Sequence, residues 1–228
     1  MIKKILHTRT FKVTVFIFIC VVIYLSPGFS WNVKSARIEA ENHIEQQYKF
    51  KPKYISGGYS SSLDASHYLL DFVDEKNGVT FEVEVKGGQR FFIKQVKQYV
   101  ETDTYLEEML IKKIKEEISP VVKKEWEGAA AVKVDTMGHR TWEVYQEPTL
   151  NNIENLYKKD YYIAIKVKKA GTKQEESEKL FEIVKFLRSN DYLPYDIDVD
   201  FEGSNIKGIS IDNIDQINSS NDILTLMN

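Results

Sequence analysis

Apolar positions along this chain follow three patterns, and each predicts a different element. From Val13 to Trp31 they are nearly continuous, with no ionisable side chain except Cys20 and Tyr24. Such a run predicts a helix that is apolar on all sides. Farther on, Val33, Ala36, Ala40, Ile44 and Tyr48 recur at helical spacing, so 33–48 predicts an amphipathic helix. Phe81, Val83 and Val85 alternate with Thr80, Glu82, Glu84 and Lys86, the period of a strand with one wet face.

The remaining elements follow from the same periods and from turn residues. A short strand is expected at 53–56 after Pro52, ahead of a Gly- and Ser-rich loop. Residues 68–74 and 79–86 form a hairpin through Asn77-Gly78, a dipeptide suited to positive φ. A third strand at 90–97 completes an antiparallel meander. Thr104 and Glu107 have the spacing of a capping box and open a helix carrying Leu106, Leu110, Ile114 and Ile118, which Ser119-Pro120 should interrupt, with 121–126 open to resume it. Past Gly128, strands are expected at 131–136, 140–146 and 161–168, with a short helix at 150–157. Thr172 and Glu175 open another helix, to 188. A hairpin of 195–202 and 206–211 follows, and a helical turn at 223–227 ends the pattern.

The fold class is therefore α+β: an N-terminal transmembrane helix, then antiparallel sheets with packed helices. A helix, an aromatic, a proline and a strand recur at 48–55 and again at 192–199, consistent with two related units. The expected division is a basic cytoplasmic tail at 1–12, the membrane segment at 13–31, a first unit at 32–127 and a second at 128–228. Gly128 and the alanines after it mark the joint.

Charge sharpens the location. The first twelve residues hold Lys3, Lys4, Arg9 and Lys12 and no acid, which leaves 27 basic against 34 acidic residues beyond them, a net charge of −7. A basic end resists crossing a bilayer that the apolar run enters, so the rest of the chain is expected outside the cytoplasm. The lipid bilayer is the partner expected for 13–31. Nineteen residues at ~1.5 Å rise roughly match a ~30 Å hydrocarbon core. Pro27 and Gly28 weaken the last turn, and Gly28 and Ser30 also fit the small positions before a signal-peptide cleavage point, so anchor and secreted forms both stay open. The acidic balance beyond the tail argues against a nucleic-acid partner. Cys20 is the sole cysteine, so the outer region contains no disulfide.

Few residues advertise chemistry. Asp196, Asp198, Asp200 and Glu202 have the spacing of a strand face rather than of a calcium loop, because Phe201 stands where such a loop needs glycine and Lys207 where it needs glutamate. They read first as a solvated acidic face, with a loose cation site or a contact for a basic partner as the alternatives, and Lys207 on the facing strand would offset part of the charge. Phe91-Phe92 and Tyr161-Tyr162 place consecutive aromatics on opposite faces of strands, one inward and one available for a protein contact. His43, His67 and His139 are too scattered for a metal site. No nucleophile motif and no phosphate-cradling glycine pattern is present. The expectation is a protein without catalytic residues, cofactor or metal.

The basic start and apolar run, the helix ending Gln47-Tyr48-Lys49-Phe50, the meander through Phe81-Glu82-Val83 and the opening Asp103-Thr104-Tyr105-Leu106 together resemble a loose class of small, membrane-anchored or lipidated extracytoplasmic proteins of Gram-positive bacteria. The resemblance covers about a third of the chain. It implies a helix packed on a three- or four-stranded antiparallel sheet, as in peptidase-propeptide-like and cystatin-like folds, and it brings no functional residue with it. The expected role is a single-span protein whose outer region binds an unknown protein at the cell envelope. Two alternatives stand beside it: an envelope hydrolase using paired carboxylates, and a bitopic subunit of a secretion- or conjugation-type membrane complex.

Overall fold

The computed structural model describes residues 9–24, 30–61, 66–88, 96–136 and 161–228. In chain order the elements are α1 (Arg9–Tyr24), α2 (Ser30–Tyr48), β1 (Lys53–Ser61), β2 (Ser66–Asp74), β3 (Val79–Gly88) and β4 (Val96–Asp103). There follow α3 (Tyr105–Glu125), β5 (Ala130–Thr136), β6 (Tyr161–Val167), α4 (Lys173–Ser189), β7 (Asp196–Phe201), β8 (Ile209–Ile211), a 3-10 turn (Ile214–Gln216) and α5 (Ser220–Leu226). The α+β class is as expected. Two compact units form, 1–104 and 105–228, each with its own four-stranded sheet.

The apolar run forms α1, a helix of 16 residues whose described side chains include Phe16, Ile17 and Phe18, all exposed. Among the described residues no helix is long and apolar enough to cross a membrane. Of the expected 13–31 segment, 25–29 lie outside the described residues.

In the first unit, sheet order β1-β2-β3-β4 is antiparallel throughout. The stripe predicted for α2 is the buried one: Ala36, Ala40 and Ile44 are fully inaccessible, and they pack with the sheet residues Leu70, Phe72, Phe81, Val83 and Val85. The β2–β3 hairpin closes at the Asp74–Val79 pair over a four-residue loop, and only Gly78 of the Asn-Gly pair takes positive φ. Buried Asp74 organises that loop by accepting from the Lys76 and Asn77 amides and from Asn77 Nδ2. Gly57 has φ +135°, and a Cβ there would lie 2.3 Å from the Leu69 carbonyl oxygen, so the β1–β2 approach requires glycine. The last strand described is 96–103; most of the strand expected at 90–97 falls on 89–95, which, with Phe91 and Phe92, lie outside the described residues.

The second unit departs further from expectation. Helix α3 was expected to close the first unit, but its buried stripe Leu110, Ile114, Ile118 and Val122 belongs to the second, against β5 and α4. The expected joint at Gly128 therefore falls inside a compact unit. Pro120 does not break α3, because the stripe continues past it to Val122 and Trp126; burying those side chains offsets the ~3 kcal/mol that an internal proline costs. The Thr104 hydroxyl accepts from the Glu82 amide, and Glu107 accepts from the Thr136 hydroxyl. Thr172 and Glu175 do form their capping box.

The second sheet has order β5-β6-β7-β8 and is mixed rather than antiparallel, since β6 and β7 run parallel with α4 as the crossover. The two sheets thus differ in topology, and the recurring segments at 48–55 and 192–199 enter an edge strand in one and an internal strand in the other. The core of the second unit combines Ile163, Ile165, Val167, Ile197 and Val199 with Leu180, Ile183, Val184 and Leu187 of α4. The expected strand at 140–146 and helix at 150–157 lie outside the described residues.

Candidate functional site

Strand alternation sends the odd-numbered residues of β6 and β7 into the core and the even-numbered ones outward. The register then builds three outward rows across the sheet. Lys133, Ala164, Asp198 and Ser210 form the middle row. Asp135, Tyr162 and Asp196 lie on one side of it, and Ala131, Lys166 and Asp200 on the other. Asp196, Asp198 and Asp200 do share a face, as the sequence predicts, and Glu202 continues it just past the strand.

Charge on this face is unbalanced. Among the described residues, six acids (Asp135, Asp196, Asp198, Asp200, Glu202, Asp212) stand against Lys133, Lys166 and, just past β6, Lys168. Lys133 is held by Asp135 at 2.5 Å and Lys166 by Glu202 at 2.6 Å. The cation beside the acids is thus Lys166 of β6 and not Lys207, which precedes the short β8. Among the described residues, Asp196, Asp198, Asp200 and Asp212 form no ion pair. Ser210 Oγ lies 2.6 Å from Asp196 Oδ1 and 2.9 Å from Asp212 Oδ1, and its single proton satisfies only one of them. Partial burial, then the Asp196 charge, raises the Asp198 carboxyl above the usual carboxylate range. Asp135 is lowered instead, chiefly by the hydrogen bond from Lys133.

Beside this row is a shallow depression of about 430 Å³ lined by Ala164, Lys166, Asp198, Asp200, Gly208 and Ser210, among others. Its floor is low because Ala164 carries only a methyl group and Gly208 none. A Cβ on Gly208 would stand 3.0 Å from the Val199 carbonyl oxygen.

The tyrosine pair divides as alternation requires. Tyr161 is buried, and its hydroxyl has no hydrogen-bond partner among the described residues; burial pushes its pKa far up. Tyr162 stands on the outer face, its hydroxyl donating to Asp135 Oδ2 at 3.0 Å, with the Lys133 ammonium 5.7 Å from its ring centre.

A polar cluster in the first unit has no counterpart in the sequence reading. Asp103, buried at the end of β4, lies 3.1 Å from His43 Nε2 and accepts from the Tyr48 hydroxyl at 3.0 Å. Sixty residues separate His43 from Asp103, so no local spacing could announce the pair. His67 lies 3.4 Å from Glu84, and His139 is outside the described residues. Among the described residues no group of three acidic, histidine or cysteine side chains is placed to hold a metal ion.

No family model, no curated protein and no solved structure matches this chain.

Proposed function

We propose that this protein is a membrane-tethered binding protein of a bacterial cell envelope, held at the bilayer by the apolar stretch containing α1 and contacting another protein outside the cytoplasm. The observation that carries the reading is the outer face of the second sheet, where, among the described residues, exposed acids stand without an ion pair around a depression with an alanine and glycine floor. Buried sheet faces exclude such groups, because an unpaired buried carboxylate costs several kcal/mol. A face of this composition is either solvated or covered by a partner that supplies cations. The basic tail and the exposed apolar side chains of α1 support the tether.

Fractionation with N-terminal mass spectrometry, combined with capture of the full chain from mildly solubilised membranes, tests the proposal. It expects an intact N-terminus in the membrane fraction and a protein partner that Asp198→Lys and Ser210→Arg release. A chain found only in the cytosol, or partners indifferent to these changes, would remove its basis.

One observation favours a second reading, an envelope hydrolase. Partial burial, then the Asp196 charge, raises the Asp198 carboxyl above its ordinary range, and neighbouring carboxyls serve as acid and base in glycoside hydrolysis. Hydrolysis of cell-wall glycan that Asp198→Asn and Asp196→Asn each abolish would establish it; equal activity in these variants would dismiss it.

A further inference from the structure

We propose that the depression beside Asp198 seats a lysine or arginine side chain carried on an extended segment of the partner protein. The inference rests on the binding reading above and deepens it by naming what the face recognises.

Shape and charge point to the same occupant. The depression runs across neighbouring strands β6, β7 and β8 and opens to solvent, so a side chain can enter from a backbone lying over the sheet. Its floor, Ala164 and Gly208, is apolar and suits a methylene stem. At its rim, among the described residues, stand Asp198 and Asp200, neither in an ion pair, whereas the one rim cation described, Lys166, is already held by Glu202. A long side chain with an apolar stem and a cationic head satisfies both parts at once. A bare metal ion fits less well, since among the described residues no three ligating side chains converge. Asp198 is already partly desolvated, so an incoming cation gains more there than at a fully solvated acid.

The seat is tested with the full chain in detergent micelles and two blocked peptides. One alternates lysine with threonine; the other replaces each lysine by norleucine. Saturable binding is expected for the lysine peptide and not for the norleucine one. Asp198→Asn with Asp200→Asn, and separately Ala164→Leu, should each weaken it by about tenfold or more, while Asp215→Asn on the 3-10 turn leaves it unchanged. Ala164→Thr, a strand-compatible filler, covers the case in which the leucine variant does not fold. Absence of saturable binding overturns the proposal. So does full binding by the filled-floor variants, which would mean diffuse attraction to negative charge, or competition by millimolar calcium, which would assign the face to a metal ion. If a captured membrane partner stays bound to both the filled-floor and the double-aspartate variants, the seat falls while the binding role stands.

Discussion

Trp126 Nε1 donates to Glu176 Oε2 across 2.5 Å, joining the residue just past α3 to the first turn of α4 around a carboxylate that is fully buried. The Gly171 amide and the Lys179 ammonium bond its other oxygen at 2.7 and 2.8 Å. A buried acid satisfied on both oxygens fixes geometry more than it adds net stability, yet removing it strands its donors. This clamp explains why α3 folds with the second unit.

Glu176→Ala should therefore destabilise the second unit by roughly 2–4 kcal/mol, and Glu176→Gln by less, since the amide still accepts from the indole. Urea unfolding followed by tryptophan fluorescence, with Trp31 and Trp142 replaced so that Trp126 reports alone, measures both. An alanine variant as stable as the parent would show that the clamp contributes nothing.

Asp103 fastens α2 to the end of β4 through His43 and Tyr48. Its replacement by Ala is expected to cost about 1–3 kcal/mol, because two donors on α2 lose a buried acceptor. Tyr48→Phe removes one bond and should cost about 1 kcal/mol. Hydrogen exchange of the α2 amides reads the effect directly. Unchanged protection of α2 in the Asp103 variant would contradict the role given to it.

For Asp198 the sign of the pH effect is fixed by direction. Its folded pKa lies above the ordinary 3.8, so the folded state binds this proton more tightly than the unfolded state. The group opposes folding at neutral pH, and this opposition is relieved as pH falls through the raised value toward 3.8. Asp198→Asn should thus equal or exceed the parent in stability at neutral pH, by under about 1 kcal/mol given its exposure. The advantage should shrink as pH drops. Tm measured against pH for both proteins decides it, and an advantage that grows on acidification would reverse the assignment.

What the sequence could and could not announce follows from the range of each signal. Stripes such as Ala36, Ala40 and Ile44, alternation in β3, and the Thr172–Glu175 box depend on neighbours within one element, and all are present as read. The acidic row of β7 was legible for the same reason: period two alone places it on one face. What packs against what was not legible. Pro120 argues locally for a break, and only the burial of Val122 and Trp126 overrides it. The bonds from the Glu82 amide to Thr104 and from the Thr136 hydroxyl to Glu107 reach across elements, so cap spacing could not announce them. Parallel pairing of β6 with β7 depends on the α4 crossover, and the Lys166–Glu202 ion pair that replaces the expected Lys207 follows from that pairing.

Site-directed photocrosslinking in intact bacterial membranes bears most directly on the central claim that the outer face of the second sheet is the contact surface. A photoreactive residue placed at Ala164 or Ser210 of the full chain should give a specific protein adduct. The same residue at Lys185, an exposed position on α4, should give none. Adducts from Lys185 with none from Ala164 or Ser210 would contradict the claim and move the contact to another surface.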